Sequence, residues 1–239
     1  MSSIGLSQYL LHQPILTLLL ICHFLSDFHL QSQKIADRKD RDWRCLGIHL
    51  IGVALPLIFV TVFIPSIWRV ALLLLFSHAI IDIGKPYVAK WFKQSSLIIF
   101  LIDQALHLSV ILLLAPLTRE MMLPDMLVGE VLTIILFILL ITKPTNVAFK
   151  LLFQKYQPKV SQKMDTISGA GAMIGLLERV VMGICILFYQ FASIGLVFTA
   201  KSIARYNKIS ENPAFAEYYL IGSLFSILSV LIAAWICLL

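Results

Sequence analysis

Stretches of about 17 to 25 almost uninterrupted apolar residues recur along the whole chain, and each is long enough to cross the hydrocarbon core of a bilayer. In that solvent only backbone and polar groups demand internal partners, which makes each run a helix. The expected fold is therefore all-α, a polytopic transmembrane helical bundle of about seven spans. They fall near residues 10–30, 46–64, 67–84, 97–115, 126–142, 172–199 and 216–238. Composition agrees, at 59% hydrophobic and 13% charged residues, far from the balance of a soluble domain. The Pro- and acid-containing stretch from Thr118 to Asp125 divides a four-span module, residues 1–120, from a three-span module, residues 121–239.

The net charge of +6 reflects topology rather than a nucleic-acid partner, because most of the 19 Lys and Arg lie in short loops. The first loop, Gln31 to Arg44, holds Lys34, Arg38, Lys39, Arg41 and Arg44; the third holds Lys85, Lys90 and Lys93; the fifth holds Lys143, Lys150, Lys155, Lys159 and Lys163. The second and fourth hold only Arg69 and Arg119. This bias predicts an external N-terminus and an internal C-terminus. Lys201, Arg205 and Lys208 break the pattern, since they follow an uninterrupted sixth span on the wrong side. Either AKSIARYNK is an interfacial helix or the sixth span is re-entrant. Cys22, Cys45, Cys185 and Cys237 are dispersed and form no disulfide framework. The first apolar segment lacks a basic flank and a cleavage pattern, and it reads as a retained span.

Three of the spans carry ionisable pairs whose order reverses. His23-x-x-x-Asp27 and His78-x-x-x-Asp82 lie near the ends of the first and third spans, while Asp103-x-x-x-His107 lies near the start of the fourth. Residues four apart share a helix face. With the fourth span antiparallel to the other two, three Asp fall at one depth and three His about 6 Å deeper in the membrane. His49 adds a fourth imidazole near the cytoplasmic start of the second span, four residues after Cys45, which reads as an ordinary small apolar residue.

Ionisable groups at such depth cost several kcal/mol each unless they are paired, hydrated or ion-bound. Their common depth points to one shared site. Imidazole nitrogen with carboxylate oxygen suits a divalent ion, zinc first, with manganese or iron as alternatives. The candidate ligands are His23, Asp27, His49, His78, Asp82, Asp103 and His107. Asp27, Asp82 and Asp103 are the candidate catalytic bases, and Lys85 and Gln31, which extend the stripes towards water, are candidate substrate-binding residues. The plainer account is that each His simply hydrogen-bonds its own Asp as interhelical glue, worth about 1 kcal/mol. In the second module, Ser168-Gly169-Ala170-Gly171 precedes IGLLERVV, and Gly171-x-x-x-Gly175 allows a close helix approach. Glu178 and Arg179 point about 100° apart, so each needs its own partner, in interhelical packing or a gate.

HFLSDFHLQ, HAIID and DQALH resemble an uncharacterised family of bacterial polytopic membrane proteins, domain of unknown function 3307. IGLLERVV, AKSIAR and EYYLIGS look like the remainder of longer members. The resemblance implies a multi-pass protein of the bacterial inner membrane and supplies no reaction. A looser likeness to inner-membrane proteins described as metal-dependent hydrolases is analogy only.

Two functions of different class follow. In the first the chain is an intramembrane metal-dependent hydrolase, acting from the lipid bilayer on a lipid-linked or phosphate-ester substrate near the cytoplasmic face. In the second the same cluster serves a cation- or proton-coupled transporter. A structural membrane subunit is the third reading, and no nucleic acid is expected as a partner.

Overall fold

The computed structural model describes residues 5–92, 96–121, 123, 128–157 and 169–239. Lys93, Pro124, Asp125, Lys159, Lys163 and Ser168, all used in the sequence reading, lie outside them. Twelve α-helices run through the described residues: α1 Leu6–His12, α2 Pro14–Phe24, α3 Gln33–Ala36, α4 Trp43–Phe63, α5 Trp68–Phe92 and α6 Ser96–Leu114, then α7 Gly129–Ile141, α8 Lys143–Phe153, α9 Ala170–Leu187, α10 Phe191–Ala204, α11 Tyr206–Glu211 and α12 Pro213–Cys237. No strand occurs among the described residues. Among the described residues, six helical segments are long and apolar enough to cross a membrane, or seven if the pair Leu6–His12 and Pro14–Leu30, bent by 101°, counts as one span. This is a multi-pass helical membrane protein. Packing divides the chain into two compact units, Met1–Leu136 and Phe137–Leu239, with the boundary inside α7.

In the first unit α2, α4, α5 and α6 pack side by side. The first span is shorter than its apolar run implies: Pro14, the first residue of α2, has no N–H to continue α1 and starts a new helix. After Phe24 the helix widens into a π turn over Leu25–Leu30. Such turns are rare and gather at functional sites, because the added residue re-aims the side chains that follow it. Here the turn carries Asp27. Ser26, almost wholly buried, donates its hydroxyl to the His23 carbonyl at 3.0 Å, which ties the wide turn to the preceding helix.

The second unit corrects the topology. The sequence reading drew one span over residues 172–199, but the chain breaks after Leu187. Tyr189 takes a left-handed conformation, φ 57°, and α10 turns back along α9. Lys201 Nζ meets Glu178 Oε2 at 2.7 Å across this hairpin. The single sixth span is thus replaced by α9, long and apolar enough to cross a membrane, and the shorter apolar α10, which carries Lys201 near its end and is followed by Arg205 and Lys208.

Glu178 and Arg179 do find separate partners. α7 stops where Pro144 offers no N–H, and its last carbonyls need donors within an apolar bundle. Thr142 Oγ1 donates to the Ile138 and Leu139 carbonyls at 3.0 and 2.8 Å, and Thr145 Oγ1 donates to Leu140 at 2.7 Å. Arg179, 2% exposed, serves the rest: Nε donates to Ile141 O at 2.5 Å, Nη2 to Thr142 O at 3.4 Å and to Asn146 Oδ1 at 2.5 Å. Its role is interhelical packing.

The close helix approach falls at Gly183 rather than at the Gly171-x-x-x-Gly175 pair. A Cβ at Gly183 would lie 2.9 Å from Ile141 Cδ1 and 3.2 Å from Phe137 Cε1, whereas one at Gly171 would meet nothing within 4 Å. Phe137 is fully buried and its ring has no room to yield. Gly183→Ala is expected to destabilise the protein by about 1–3 kcal/mol through overpacking. Gly171→Ala should leave thermal unfolding in detergent unchanged, and equal melting of the two variants would overturn this.

Candidate metal centre

All seven candidate ligands lie in the first unit, and all seven are buried. α5 and α6 run antiparallel, so the inverted order of their pairs brings the imidazoles to one level: the His78 and His107 rings stack at 4.1 Å. His23 lies 5.3 Å from His107 and 6.1 Å from His78, and His49 lies 5.2 Å from His78, between ring centroids. His78 is the hub. Its Nε2 lies 3.1 Å from His49 Nε2, 3.3 Å from Asp27 Oδ1 and 3.5 Å from Asp82 Oδ2. His49 Nε2 lies 3.0 Å from Asp82 Oδ2 and 3.7 Å from Asp27 Oδ1.

The intrahelical pairs that drew attention in the sequence are the looser contacts. His23 to Asp27 and His107 to Asp103 are each 3.9 Å. Among the described residues three overlapping triads form instead, each with donor atoms within 4.8 Å of one another: His23, Asp27 and His78; His49, His78 and Asp82; Asp82, Asp103 and His107. These buried groups can hold a metal ion.

Hydrogen bonding within the cluster is incomplete. Among the described residues, Asp27 Oδ1, Asp82 Oδ2, Asp103 Oδ1 and His107 Nε2 are buried and make no hydrogen bond, although imidazole nitrogens stand 3.0–3.9 Å from those oxygens. Burying such an atom unsatisfied costs about 1–3 kcal/mol, more for a charged group. The plainer account, in which each His satisfies its own Asp, does not describe this geometry.

Two cations enter the cluster. Lys85 Nζ pairs with Asp103 Oδ2 at 3.1 Å, so it is bound inside rather than standing at the mouth as the sequence reading has it. Lys39 is buried and pairs with Asp82 Oδ1 at 2.8 Å. Ser32 caps α3 by accepting from Ile35 N at 3.3 Å and Asp42 caps α4 by accepting from Arg44 N at 2.9 Å, so the first loop folds into two short turns that direct Lys39 inward. Nothing in the sequence separates Lys39 from its four basic neighbours. Gln104 bridges the triads: its Oε1 lies 3.3 Å from His23 Nε2, and its Nε2 donates to Asp27 Oδ2 at 3.3 Å and Asp103 Oδ2 at 3.4 Å. An amide inside an apolar span was the signal for it. Gln31, at the end of the π turn, is half-buried, with a side-chain oxygen that has no hydrogen-bond partner, and it makes none of the cluster's contacts.

Two cavities flank the cluster. One of about 30 Å³, water-sized, touches His23, His78 and His107 and is otherwise lined by Leu19, Leu57, Leu74 and similar residues. The other, about 260 Å³, opens on Asp82 and Lys39 from the loop side.

Fold and cluster together define a class, a multi-pass helical membrane protein with a buried His/Asp centre. Residues 15–127 match the family described as Protein of unknown function (DUF3307). The match takes in HFLSDFHLQ, HAIID and DQALH, while IGLLERVV, AKSIAR and EYYLIGS lie beyond it. No curated protein and no solved structure matches the chain.

Proposed function

We propose that the chain is a metal-dependent hydrolase of the bacterial plasma membrane, acting on a phosphate ester carried by a lipid or a lipid-linked molecule. One observation carries the reading: buried imidazole nitrogens and carboxylate oxygens crowd together at ligand-to-ligand distances, with Asp27 Oδ1, Asp82 Oδ2 and Asp103 Oδ1 left without a hydrogen bond. A tetrahedral zinc with bonds of about 2.0–2.1 Å separates its ligands by about 3.3–3.4 Å. Five separations among His49 Nε2, His78 Nε2, Asp27 Oδ1 and Asp82 Oδ2 lie between 3.0 and 3.7 Å. Charge supports it too. Three carboxylates face two ammonium groups, which leaves one negative charge for a cation to neutralise while the imidazoles are neutral.

A divalent ion held by His49, His78, Asp27 and Asp82 would supply an acidified water and polarise a phosphoryl oxygen. The protein's own groups do the rest. Asp103 has one oxygen held by Lys85 and Gln104 and the other without a hydrogen bond, which fits a base that takes the proton of the attacking water. The water oxygen bonds to phosphorus, the ester P–O bond breaks, and the alcohol leaves with a proton returned to it. Gln104 holds His23 and two of the carboxylates in place. Gln104→Leu is expected to weaken metal binding by about 10–100-fold while the protein stays folded, measured by metal titration; unchanged affinity would remove this role.

The test is metal analysis of detergent-purified protein, followed by turnover of a panel of lipid phosphates. Near-stoichiometric metal with phosphate release supports the hydrolase, and wild-type protein with near-zero metal after incubation with zinc, manganese or iron rejects it. The second reading, a cation- or proton-coupled transporter, draws on the row of four imidazoles and on the 3.1 Å His49–His78 contact, which suits a shared proton. Metal- or pH-driven flux in liposomes without turnover would favour it.

A further inference from the structure

The cavity of about 260 Å³ sits between the start of α4 and the end of α5, and Asp82 lies at its inner end. Its lining sets three cations, Lys39, Arg41 and Lys90, against Asp40, Asp42 and Asp82. Two of these acids are already engaged: Asp42 accepts the Arg44 amide at 2.9 Å, and Asp82 is the carboxylate shared by two triads. Trp43 and Tyr87, 74% and 70% exposed, stand in the same lining. Exposed aromatic rings at helix ends mark the headgroup level of a bilayer. The cavity thus combines three cationic side chains that can donate to an anion, an interfacial rim and direct contact with the cluster.

Lys39 connects the two. Its ammonium is held by Asp82 Oδ1 at 2.8 Å, and a cation bound at Asp82 Oδ2 draws off the carboxylate charge that holds Lys39 at the inner wall of the cavity. A buried ammonium then needs another anion.

We infer that this cavity is the binding subsite for the phosphate group of the substrate, with Lys39 as the switchable donor and Arg41 and Lys90 as outer contacts. The inference rests on the metal-site reading for the natural trigger, a cation on Asp82. It assigns substrate recognition to Lys39, Arg41 and Lys90 in place of Gln31 and Lys85. The phosphate comes from a lipid headgroup or from a soluble ester, and the two are separable by experiment.

Asp82→Asn releases Lys39 with no metal present, so the subsite can be examined apart from the metal reading. In full-length detergent-purified protein stripped of metal, Asp82→Asn is expected to bind inorganic phosphate at least about tenfold more tightly than wild type, read by calorimetry. Adding Lys39→Gln should abolish that gain. In metal-loaded wild type, Arg41→Gln with Lys90→Gln should weaken phosphate binding about tenfold with metal content unchanged. Phosphate binding no tighter in folded Asp82→Asn than in wild type, or a gain that survives Lys39→Gln, overturns the subsite. Failure of wild type to bind metal alongside a Lys39-dependent gain in Asp82→Asn rejects the metal reading alone. Displacement of phosphate by nanodiscs containing phosphatidic acid, and not by phosphatidylcholine alone, identifies the lipid headgroup as the source; no displacement by either identifies a soluble ester.

Discussion

His78→Ala is expected to lose bound metal almost completely, with affinity lower by at least about 100-fold and metal per chain at background after desalting. The size of the effect follows from position. His78 belongs to two of the three triads, its Nε2 lies within 3.5 Å of His49, Asp27 and Asp82, and its ring stacks on His107. Outer groups around metal ligands already contribute about 10–100-fold to affinity, and a shared inner donor contributes more. His107→Ala removes a member of one triad only and should lose less metal. The order of the two variants separates a metal site from interhelical glue. Glue predicts lower thermal stability for both, independent of added zinc, manganese or iron. Equal metal in wild type and His78→Ala would end the hydrolase proposal.

Arg179→Met is expected to destabilise the second unit by about 2–5 kcal/mol, read as a lower midpoint of thermal unfolding in detergent. Two opposing effects meet here. Removing a buried guanidinium relieves the cost of holding a charge in an apolar setting, which alone would stabilise. Against that, Ile141 O, Thr142 O and Asn146 Oδ1 all lose a donor in a place where water is scarce. Each unsatisfied acceptor costs about 1–3 kcal/mol, and Ile141 O with Asn146 Oδ1 exceeds the relief, while Thr142 O keeps the Asn146 amide at 3.3 Å. Arg179→Lys should recover part of the loss, because one ammonium can serve some of the three acceptors but lacks the fork of the guanidinium. A variant as stable as wild type would show that the end of α7 does not depend on this residue.

The site was legible because it obeys a period. Side chains four apart on a helix, repeated on three spans with the order inverted on one, carry their own geometry, and for that reason His23, Asp27, His78, Asp82, Asp103 and His107 could be grouped before any coordinates. The actual partners were not legible in the same way. The i, i+4 spacing sets each His beside the Asp of its own helix, yet His78 sits closer to Asp27 on the neighbouring span, 3.3 Å, than to its own Asp82, 3.5 Å. Intrahelical spacing fixes a face, while the choice of partner depends on the rotation and separation of neighbouring helices and on the π turn that re-aims Asp27.

The break after Leu187 was hidden by composition. Residues on both sides of it are apolar, and hydropathy does not register the reversal at Tyr189; only the surplus of Lys201, Arg205 and Lys208 hinted at it.

Amino-acid order alone determined that this chain is helical, that it lives in a bilayer and that ionisable groups gather at one depth, because solvent polarity and the 3.6-residue turn act along a single helix. Tertiary structure alone decided that Lys39 folds in from a loop to Asp82, that Gln104 bridges three side chains, and that α9 and α10 form a hairpin. Those depend on contacts between residues far apart in the chain, for which local spacing carries no signal.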